Sequence, residues 1–460
     1  MDELATFIRA KYLLTMARGE TALHRDWTVA IYGGRIVGIG PSAEFSSESH
    51  GRLLTFGHHL VMPGLINAHG HLPMVAYAGK MPAGLPFVDV LFTWMLPIER
   101  DFCPESDFVY HAARAGAWEL ARFGVTTTAE MYYFVDLMAR AFAEAGLRAI
   151  LGETVMDLVP APSGLTPQQG IALVQQTAAA YSDRSTLRFA IAPHAHYTAS
   201  DDLLRECIAA AGASGLHLLM HVNETPEEVR RPSYPGQLNS FYTSRPDCPL
   251  PPVLALEQLG IGAAGPVTFA HCVYMTDGEI AALARMGIGV AANPVCNAQI
   301  GLGLAPFAAF AASDIPVGLA TDGPLTNDRL DLFSQLLPAL TLTRGRAGDP
   351  AAMSEEQAVR MVTLDAARAL HLGGETGSLE VGKAADVIAL DLSAHPRAIS
   401  YLEADNPFAY LVKLAAAEHV AMTMVAGQIV YPAPPPQLPH GYIEQRERVG
   451  AWQPMEEKSA

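Results

Sequence analysis

The sequence predicts an α/β protein, a TIM-like (β/α)8 barrel that carries a small β-sandwich domain built from both chain termini. Three observations predict this fold. Eight short, nearly all-apolar runs alternate with longer helical patterns between about residues 60 and 370. No glycine-rich phosphate loop follows the first run, which argues against the competing open, doubly wound sheet. Both ends of the chain are strand-like, and neither end has enough strands to build a core alone.

The terminal domain is indicated by four runs that are rich in strand-forming residues. These runs are Ile8–Met16, Thr28–Gly40, Asp386–Asp391 and Val420–Pro432. Hairpin turns are predicted at Gly33-Gly34 and at Ala426-Gly427-Gln428. We therefore expect residues 1–59 and 372–460 to pair into one composite domain, with an irregular proline-rich tail after residue 431.

The barrel is predicted from residues 60–371, where each apolar run is typical of a parallel strand that is buried on both faces. The eight runs are Leu60–Asn67, Gly124–Met131, Arg148–Val155, Arg188–Pro193, Leu216–Met220, Val267–Ala270, Gly287–Asn293 and Val317–Thr321. The stretches between them have helical patterns, and Asp201 and Thr276 are candidate helix caps. Connections 73–105 and 225–252 are long, as pocket walls often are. Trp94 and its apolar neighbours in the first could stack on a flat ligand, cover the barrel mouth or contact another subunit.

Composition excludes several classes of function. The chain has 460 residues, 50% hydrophobic and 17% charged, which provides a large core and excludes a disordered protein. Its net charge of −17, without a basic cluster, argues against nucleic-acid and anionic-membrane partners. Five cysteines without a CxxC pair, an N-terminus without a signal-peptide pattern and the lack of long apolar stretches predict a cytoplasmic protein. The low charge content is compatible with surfaces buried in a homo-oligomer.

Titratable residues stand at the ends of five of the eight runs, where a barrel gathers its active site. They are His69, His71, His194, His221, His271 and Asp322. His69 and His71 are two residues apart, so in a strand both imidazoles point to the same face. Several imidazoles and one carboxylate match a catalytic zinc site with an open position for water. The alternative, unconnected core histidines, would require a separate partner for each ring.

Seven segments of the chain extend this pattern into recognisable motifs. They are Met62-Pro63-Gly64-Leu65-Ile66-Asn67-Ala68-His69-Gly70-His71, Leu96-Pro97-Ile98-Glu99, His221-Val222-Asn223-Glu224-Thr225, Ala270-His271-Cys272-Val273, Asn293-Pro294, Thr321-Asp322-Gly323 and Gly382-Lys383-Ala384-Ala385-Asp386. With these motifs the chain resembles the amidohydrolase superfamily over nearly its whole length. Within it, the chain resembles most closely the branch of 5′-methylthioadenosine/S-adenosylhomocysteine deaminases and triazine hydrolases.

This resemblance implies one divalent metal, zinc or alternatively iron. The implied ligands are His69, His71, His221 and Asp322. No lysine stands at a strand end where a carbamate bridge would be needed, so one metal is favoured over two. The resemblance also implies that His271 contacts the attacking water and that Glu224 shuttles protons. It places Glu99 and His194 against the substrate.

The chemistry of these residue types supports a hydrolytic deaminase. A zinc-bound water has a pKa near ~7 and supplies hydroxide at neutral pH. Asp322 and His271 can accept the water's proton, and Glu224 can protonate the ring nitrogen before ammonia leaves. We expect the substrate to be an aminated purine nucleoside or related N-heterocycle, similar to 5′-methylthioadenosine or adenosine. An s-triazine-type chlorohydrolase, an amide-hydrolysing enzyme on the same site and a non-catalytic binding barrel are the alternatives.

Three positions depart from the pattern of the resembled family. Glu153 stands where the S-adenosylhomocysteine deaminases have an Arg that holds the substrate carboxylate. We therefore expect Glu153 to face the substrate and to disfavour S-adenosylhomocysteine by charge repulsion. Ala292 stands where many relatives have His, and Cys296 stands where Ser is common.

Overall fold

The computed structural model describes residues 4–17, 19, 22–45, 51–82, 84–105, 107–229 and 250–454. Most of the predicted connection 225–252, with Cys248, lies outside the described residues. Within those residues, every helix is too short or too polar to cross a lipid bilayer.

The described strands form two sheets, one of seven strands and one of eight. In chain order the strands are β1 (Thr6–Leu14), β2 (Leu23–Tyr32), β3 (Arg35–Pro41), β4 (Arg52–Pro63), β5 (Leu65–Gly70), β6 (Val125–Tyr132), β7 (Arg148–Val155), β8 (Leu187–Pro193), β9 (His217–Val222), β10 (Val267–His271), β11 (Gly289–Ala292), β12 (Val317–Leu319), β13 (Val387–Asp391), β14 (Val420–Val425) and β15 (Gln428–Tyr431).

The helices mostly connect the barrel strands. In chain order they are α1 (Phe87–Val90), α2 (Leu96–Phe102), α3 (Phe108–Arg122), α4 (Val135–Ala145), α5 (Pro167–Ala180), α6 (Asp201–Ser214), α7 (Pro226–Val229), α8 (Pro252–Gln258), α9 (Asp277–Met286), α10 (Pro294–Gln299), α11 (Phe307–Ala312), α12 (Pro324–Asn327), α13 (Phe333–Ala347), α14 (Glu355–Arg360), α15 (Leu364–Ala369), α16 (Ala398–Glu403), α17 (Pro407–Lys413) and α18 (His440–Ala451). A π-helical turn, Leu91–Met95, joins α1 to α2.

The eight-stranded sheet confirms the predicted barrel. Its strands follow one another from β5 to β12 in chain order, each parallel to the next where it is paired. A parallel bridge between Gly70 and Asp322 brings the last strand back to the first. All residues of β6 and β7 are buried, as expected for strands that have the barrel interior on one face and helices on the other.

The first predicted run is divided between the two sheets. Leu60 to Pro63 end β4 of the terminal sheet, and the barrel strand β5 begins at Leu65. Gly64 lies between them, where a side chain would collide with Thr126 because its Cβ would lie 2.1 Å from Cγ2 of that residue. A close approach between strands therefore requires glycine at this junction.

The terminal strands form one continuous mixed sheet, in the order β15-β14-β13-β4-β1-β2-β3. Both hairpin turns lie where they were predicted, between β2 and β3 and between β14 and β15. The pairing of β4 with both β1 and β13 joins strands from the two chain ends, which confirms that one sheet is built from both termini. One cluster of buried side chains, including Ile8, Val61 and Val387, forms its core.

Two local predictions were wrong. Ser200, rather than Asp201, caps α6, because its hydroxyl accepts a hydrogen bond from the Leu203 amide. The tail after residue 431 was expected to be irregular, but it contains helix α18. Tyr442 and Val449, seven residues apart, are buried on one face of that helix. Packing against the barrel, which the proline-rich sequence does not reveal, explains the helix.

A buried ion pair joins the barrel to the terminal sheet. Arg148, at the start of β7, donates from Nε to Asp386 Oδ2 at 2.8 Å, and its Nη1 bonds to Glu375. Asp386 also accepts the Thr376 hydroxyl and the Ala426 amide, both at 2.8 Å. Its donors come from three residues in separate parts of the chain, so this carboxylate fixes how the two sheets are joined.

Candidate active site

Imidazole nitrogens and a carboxylate converge at the carboxyl ends of the barrel strands. His71 Nε2 lies 3.2 Å from His221 Nε2 and 3.4 Å from Asp322 Oδ1. His69 Nε2 lies 3.5 Å from the same Asp322 oxygen. The described residues contain two groups whose possible ligand atoms all lie within 4.8 Å of one another, and His69 belongs to both. One group adds His71 and Asp322, and the other adds His221 and His271.

Backbone carbonyls orient two of these rings. His221 Nδ1 donates to His194 O at 2.8 Å, and His71 Nδ1 donates to Met131 O. A carbonyl can only accept, so in both rings the proton is on Nδ1 and the lone pair on Nε2 faces the cluster. This is the tautomer that a metal ligand requires.

Burial favours the neutral form of His69 and His221. Loss of solvent lowers the pKa of His69 to about 4 and the pKa of His221 well below its usual value. His69 Nε2 is buried and has no hydrogen-bond partner, although it points at the other donor atoms. An unpaired buried nitrogen is costly, and a bound cation would satisfy it. The cluster is therefore able to hold a divalent metal.

Asp322 is held as an anion. Burial alone would raise its pKa, but the neighbouring imidazoles of His69 and His271 hold it well below the usual value. Its Oδ1 accepts the Gly323 amide and its Oδ2 accepts the Cys296 thiol, both at 2.8 Å. The substitution of Cys for the common Ser thus retains a hydrogen-bond donor to the carboxylate.

Glu224 has the opposite character. Burial raises its pKa well above the usual value, and the nearby negative charges of Asp322 and Glu228 add to the effect. Its Oε1 lies 3.6 Å from His271 Nδ1, which also bonds to Asn297 Oδ1 at 3.0 Å. The surroundings of Glu224 therefore favour its protonated form, which can donate a proton, whereas those of Asp322 favour the anion, which can accept one.

Left-handed backbone conformations occur at the strand ends of the site. Asn223, His271, Cys272 and Asp322 have φ values of 53°, 70°, 47° and 63°. Such conformations cost free energy in residues other than glycine, and they are typical of functional sites that the surrounding structure holds in place.

The glycine between His69 and His71 is explained by a neighbour that sequence reasoning missed. Glu130, opposite Gly70 in the β5–β6 pairing, accepts the Leu72 amide at 2.7 Å and the Thr128 hydroxyl at 2.6 Å. A Cβ on Gly70 would lie 3.0 Å from a Glu130 oxygen. The available signal was a carboxylate within the otherwise uncharged run 124–131.

Two of the four predicted substrate residues line the cavity above the cluster. Glu99 and His194 both face it, alongside an apolar wall that includes Phe87, Leu91 and Met95. Burial raises the pKa of Glu99 to about 8, and its Oε1 has no hydrogen-bond partner. An unpaired acceptor beside a cavity is suited to a hydroxyl or amine donor on a ligand.

The other two predicted substrate residues lie elsewhere. Trp94 is absent from the described cavity lining, and its ring packs against Trp452 with centroids 5.6 Å apart. Glu153 accepts the Val135 amide at 2.7 Å, at the start of α4. Because side chains alternate along a strand, it is the next residue, Thr154, that lines the cavity. Glu153 is therefore directed toward α4, and this placement gives no support to the expected contact with substrate or to the charge argument that rested on it.

The fold and the cluster place the protein in the class of barrel hydrolases whose histidine–carboxylate site can bind a metal. The chain belongs to the amidohydrolase family, whose family model matches residues 60–430.

Comparison with known proteins confirms the predicted relationship and fold. A 5-methylthioadenosine/S-adenosylhomocysteine deaminase of Nitratidesulfovibrio vulgaris is 34% identical over 426 residues, which are 92% of this chain and 91% of the relative. An adenosine deaminase of Xanthomonas campestris, solved with bound zinc, has a TM-score of 0.84 at 26% identity, covering 97% of this chain and 98% of its own. An atrazine chlorohydrolase of Arthrobacter aurescens has the same fold, with a TM-score of 0.79 at 22% identity over 96% of this chain and 99% of its own.

Proposed function

We propose that the protein is a hydrolytic deaminase that releases ammonia from an aminated purine nucleoside or related N-heterocycle. The observation that carries this proposal is the pairing of two buried carboxyl groups of opposite character, Glu224 and Asp322, beside the histidine cluster. Replacement of an amino group by hydroxyl needs a group that takes a proton from water and another that supplies one to the ring. The relative from Nitratidesulfovibrio vulgaris is named a 5-methylthioadenosine/S-adenosylhomocysteine deaminase. The solved structure from Xanthomonas campestris, at 26% identity, is named an adenosine deaminase.

His69, His71, His221 and Asp322 would hold one divalent cation. Neutral imidazoles with a carboxylate suit zinc, and the same donor set accepts ferrous iron. When bound, such a cation supplies Lewis acidity that lowers the pKa of a water molecule to about 7. The unpaired Nε2 of His69 supports this assignment.

The protein's own groups manage the protons. Asp322 and His271 accept the proton that the attacking water loses as its oxygen bonds to the ring carbon. Glu224 donates its proton to the adjacent ring nitrogen, which makes that carbon electrophilic. The proton held by Asp322 or His271 then passes to the exocyclic amine, and the carbon–nitrogen bond breaks with both electrons leaving on ammonia. The new hydroxyl returns a proton to Glu224 as the ring carbonyl forms.

The cavity wall favours an uncharged ligand. Glu99 offers an acceptor to sugar hydroxyls, and His194 Nδ1 is hydrogen-bonded to the Thr198 hydroxyl at 2.9 Å, which orients its ring at the cavity. The described lining contains neither lysine nor arginine. A neutral nucleoside such as 5′-methylthioadenosine or adenosine therefore fits these residues better than a phosphorylated one.

The test is ammonia release by zinc-loaded protein from 5′-methylthioadenosine, adenosine, S-adenosylhomocysteine, guanine, cytosine and an aminotriazine. We expect release from the two neutral nucleosides and a fall of kcat by about 10²–10⁴-fold in Glu224→Gln. Glu206→Gln, which replaces an exposed carboxylate, is the matched control and should keep full activity. Chloride release from a chlorotriazine without ammonia release from any amine would refute the deaminase assignment.

A further inference from the structure

A buried carboxylate that the mechanism does not use lies beside the residue that carries the proton. Glu228, in α7, is buried, and both of its oxygens accept hydrogen bonds from the loop that follows β9. Oε2 accepts the Asn223 amide at 3.0 Å. Oε1 accepts the Thr225 amide at 2.9 Å and the Thr225 hydroxyl at 3.3 Å.

These hydrogen bonds hold the backbone on both sides of Glu224. Its two chain neighbours, Asn223 and Thr225, both donate their backbone amides to the same carboxylate. The Asn223 carbonyl accepts the amides of Val273 and Tyr274, each at 3.0 Å. The backbone of Glu224 is thus fixed on both sides, and it is tied to the segment that follows His271.

The tie also holds a less common backbone conformation, because Asn223 is left-handed with a φ of 53°. Without its partners, the short loop would relax toward ordinary dihedral angles and would carry Glu224 with it. Its side chain is held as well, because Asn223 Nδ2 donates to Glu279 Oε1 at 2.9 Å.

We propose that Glu228 is a positioning residue for Glu224. It holds the carboxyl group of Glu224 at the distance from His271 and from the substrate ring that proton transfer requires. The inference rests on the proposed function for the role of Glu224, and it adds the residue that keeps Glu224 in place. Glu228 itself belongs neither to the described cavity lining nor to the two groups of possible metal ligands.

The informative substitution is Glu228→Gln. Each oxygen of Glu228 faces a backbone N–H group, so an amide must turn its own NH2 toward one of them. Misplacement by about 1 Å reduces turnover by up to about 10²-fold, so we expect kcat to fall by about 10–100-fold. KM should change by less than about twofold, because the cavity wall is untouched. Bound zinc per chain should equal that of the wild type.

A double-mutant cycle separates positioning from general damage. If Glu228 acts through Glu224, then Glu224→Gln/Glu228→Gln should retain kcat within about threefold of Glu224→Gln alone. Effects that multiply would overturn the proposal, as would a wild-type kcat in Glu228→Gln. Glu206→Gln again serves as the exposed control. Should Glu228→Gln fail to fold, Glu228→Asp keeps both acceptors on a shorter arm and should show a smaller loss of kcat in the same cycle.

A crystal structure of the zinc-loaded variant gives a readout that does not depend on activity. We expect the Glu224 carboxyl group to be displaced by about 1 Å or more. An undisplaced Glu224 would overturn the positioning role even if the enzyme were slow. Silence of the wild type toward all six compounds of the panel would instead refute the proposed function, and the crystal structure would still decide whether Glu228 holds this loop.

Discussion

Replacement of Gly70 by alanine should weaken metal binding without touching any proposed ligand. The new Cβ would lie 3.0 and 3.1 Å from the two carboxylate oxygens of Glu130 and 3.3 Å from Asn67 Nδ2. Glu130 cannot swing away freely, because the Leu72 amide and the Thr128 hydroxyl hold its oxygens at 2.7 and 2.6 Å. The methyl group must therefore shift either this carboxylate or the strand end that carries His69 and His71.

The expected loss of zinc affinity in Gly70→Ala follows from two free-energy costs. Overpacking of a well-packed interior costs about 1–3 kcal/mol. Displacement of Glu130 leaves a buried Leu72 amide unpaired, which costs a further 1–3 kcal/mol or so. The strain acts on Gly70, which lies between the proposed ligands His69 and His71. We therefore expect zinc affinity to fall by about 10–100-fold, as it does when groups that orient metal ligands are removed.

The assay is competition for zinc with a chromophoric chelator, read for the wild type, Gly70→Ala and Gly57→Ala. Gly57 is the matched control, because a Cβ there would meet nothing within 4 Å. The double variant Gly70→Ala/Glu130→Asp shortens the carboxylate by one methylene and should recover part of the affinity. Unchanged zinc affinity in Gly70→Ala would refute the account of why glycine separates His69 from His71.

Three further predictions concern other buried groups. Asp386→Ala should lower the free energy of unfolding by about 3–5 kcal/mol in urea denaturation, because it removes the fully buried partner of Arg148 and leaves the Thr376 hydroxyl and the Ala426 amide without an acceptor. Arg205→Ala, which breaks an exposed pair with Asp202, should cost less than about 1 kcal/mol. Burial raises the pKa of Glu153 to about 8, so the unfolded chain loses this proton at lower pH than the folded one, and stability should fall as pH rises from about 5 to about 8. Glu153→Gln should flatten that fall by up to about 1.4 kcal/mol per pH unit in the same titration, and an unchanged slope would contradict the assignment. Cys296→Ala should reduce kcat by several-fold because Asp322 loses a hydrogen-bond donor, while Cys296→Ser should keep it; equal rates in the two variants would exclude this role.

The barrel could be predicted from the sequence because its strands are buried on both faces. Such strands appear as apolar runs, and the titratable residues that end five of the eight runs mark the carboxyl ends of those strands. His69, His221 and Asp322 were identified in this way, and the structure brings them together. This pattern depends only on residues that are neighbours along the chain, so it can be recognised in the sequence without knowledge of the fold.

The sequence does not reveal contacts between distant parts of the chain. Glu153 is close to the site in sequence order, but strand alternation directs it toward α4. Trp94 is an aromatic residue of the kind that stacks on flat ligands, yet its ring packs on Trp452, which lies 358 positions further along the chain. Glu130 and Glu228 were missed because an isolated carboxylate in a buried segment has no periodic signal. Their roles appear only when the backbone amides that they accept are known.

The roles of Glu224 as acid and Asp322 as base also depend on contacts between distant parts of the chain. Glu224 and Asp322 are both buried carboxyl groups, and burial acts on both in the same direction. Their surroundings then separate them: Asp322 faces imidazoles and accepts an amide and a thiol, whereas Glu224 faces the negative charges of Asp322 and Glu228. Two groups whose pKa values are pushed apart can take one proton and give another within the same turnover. Glu228 adds to the rise in the pKa of Glu224, and in the proposed positioning role it also holds the loop that carries this acid.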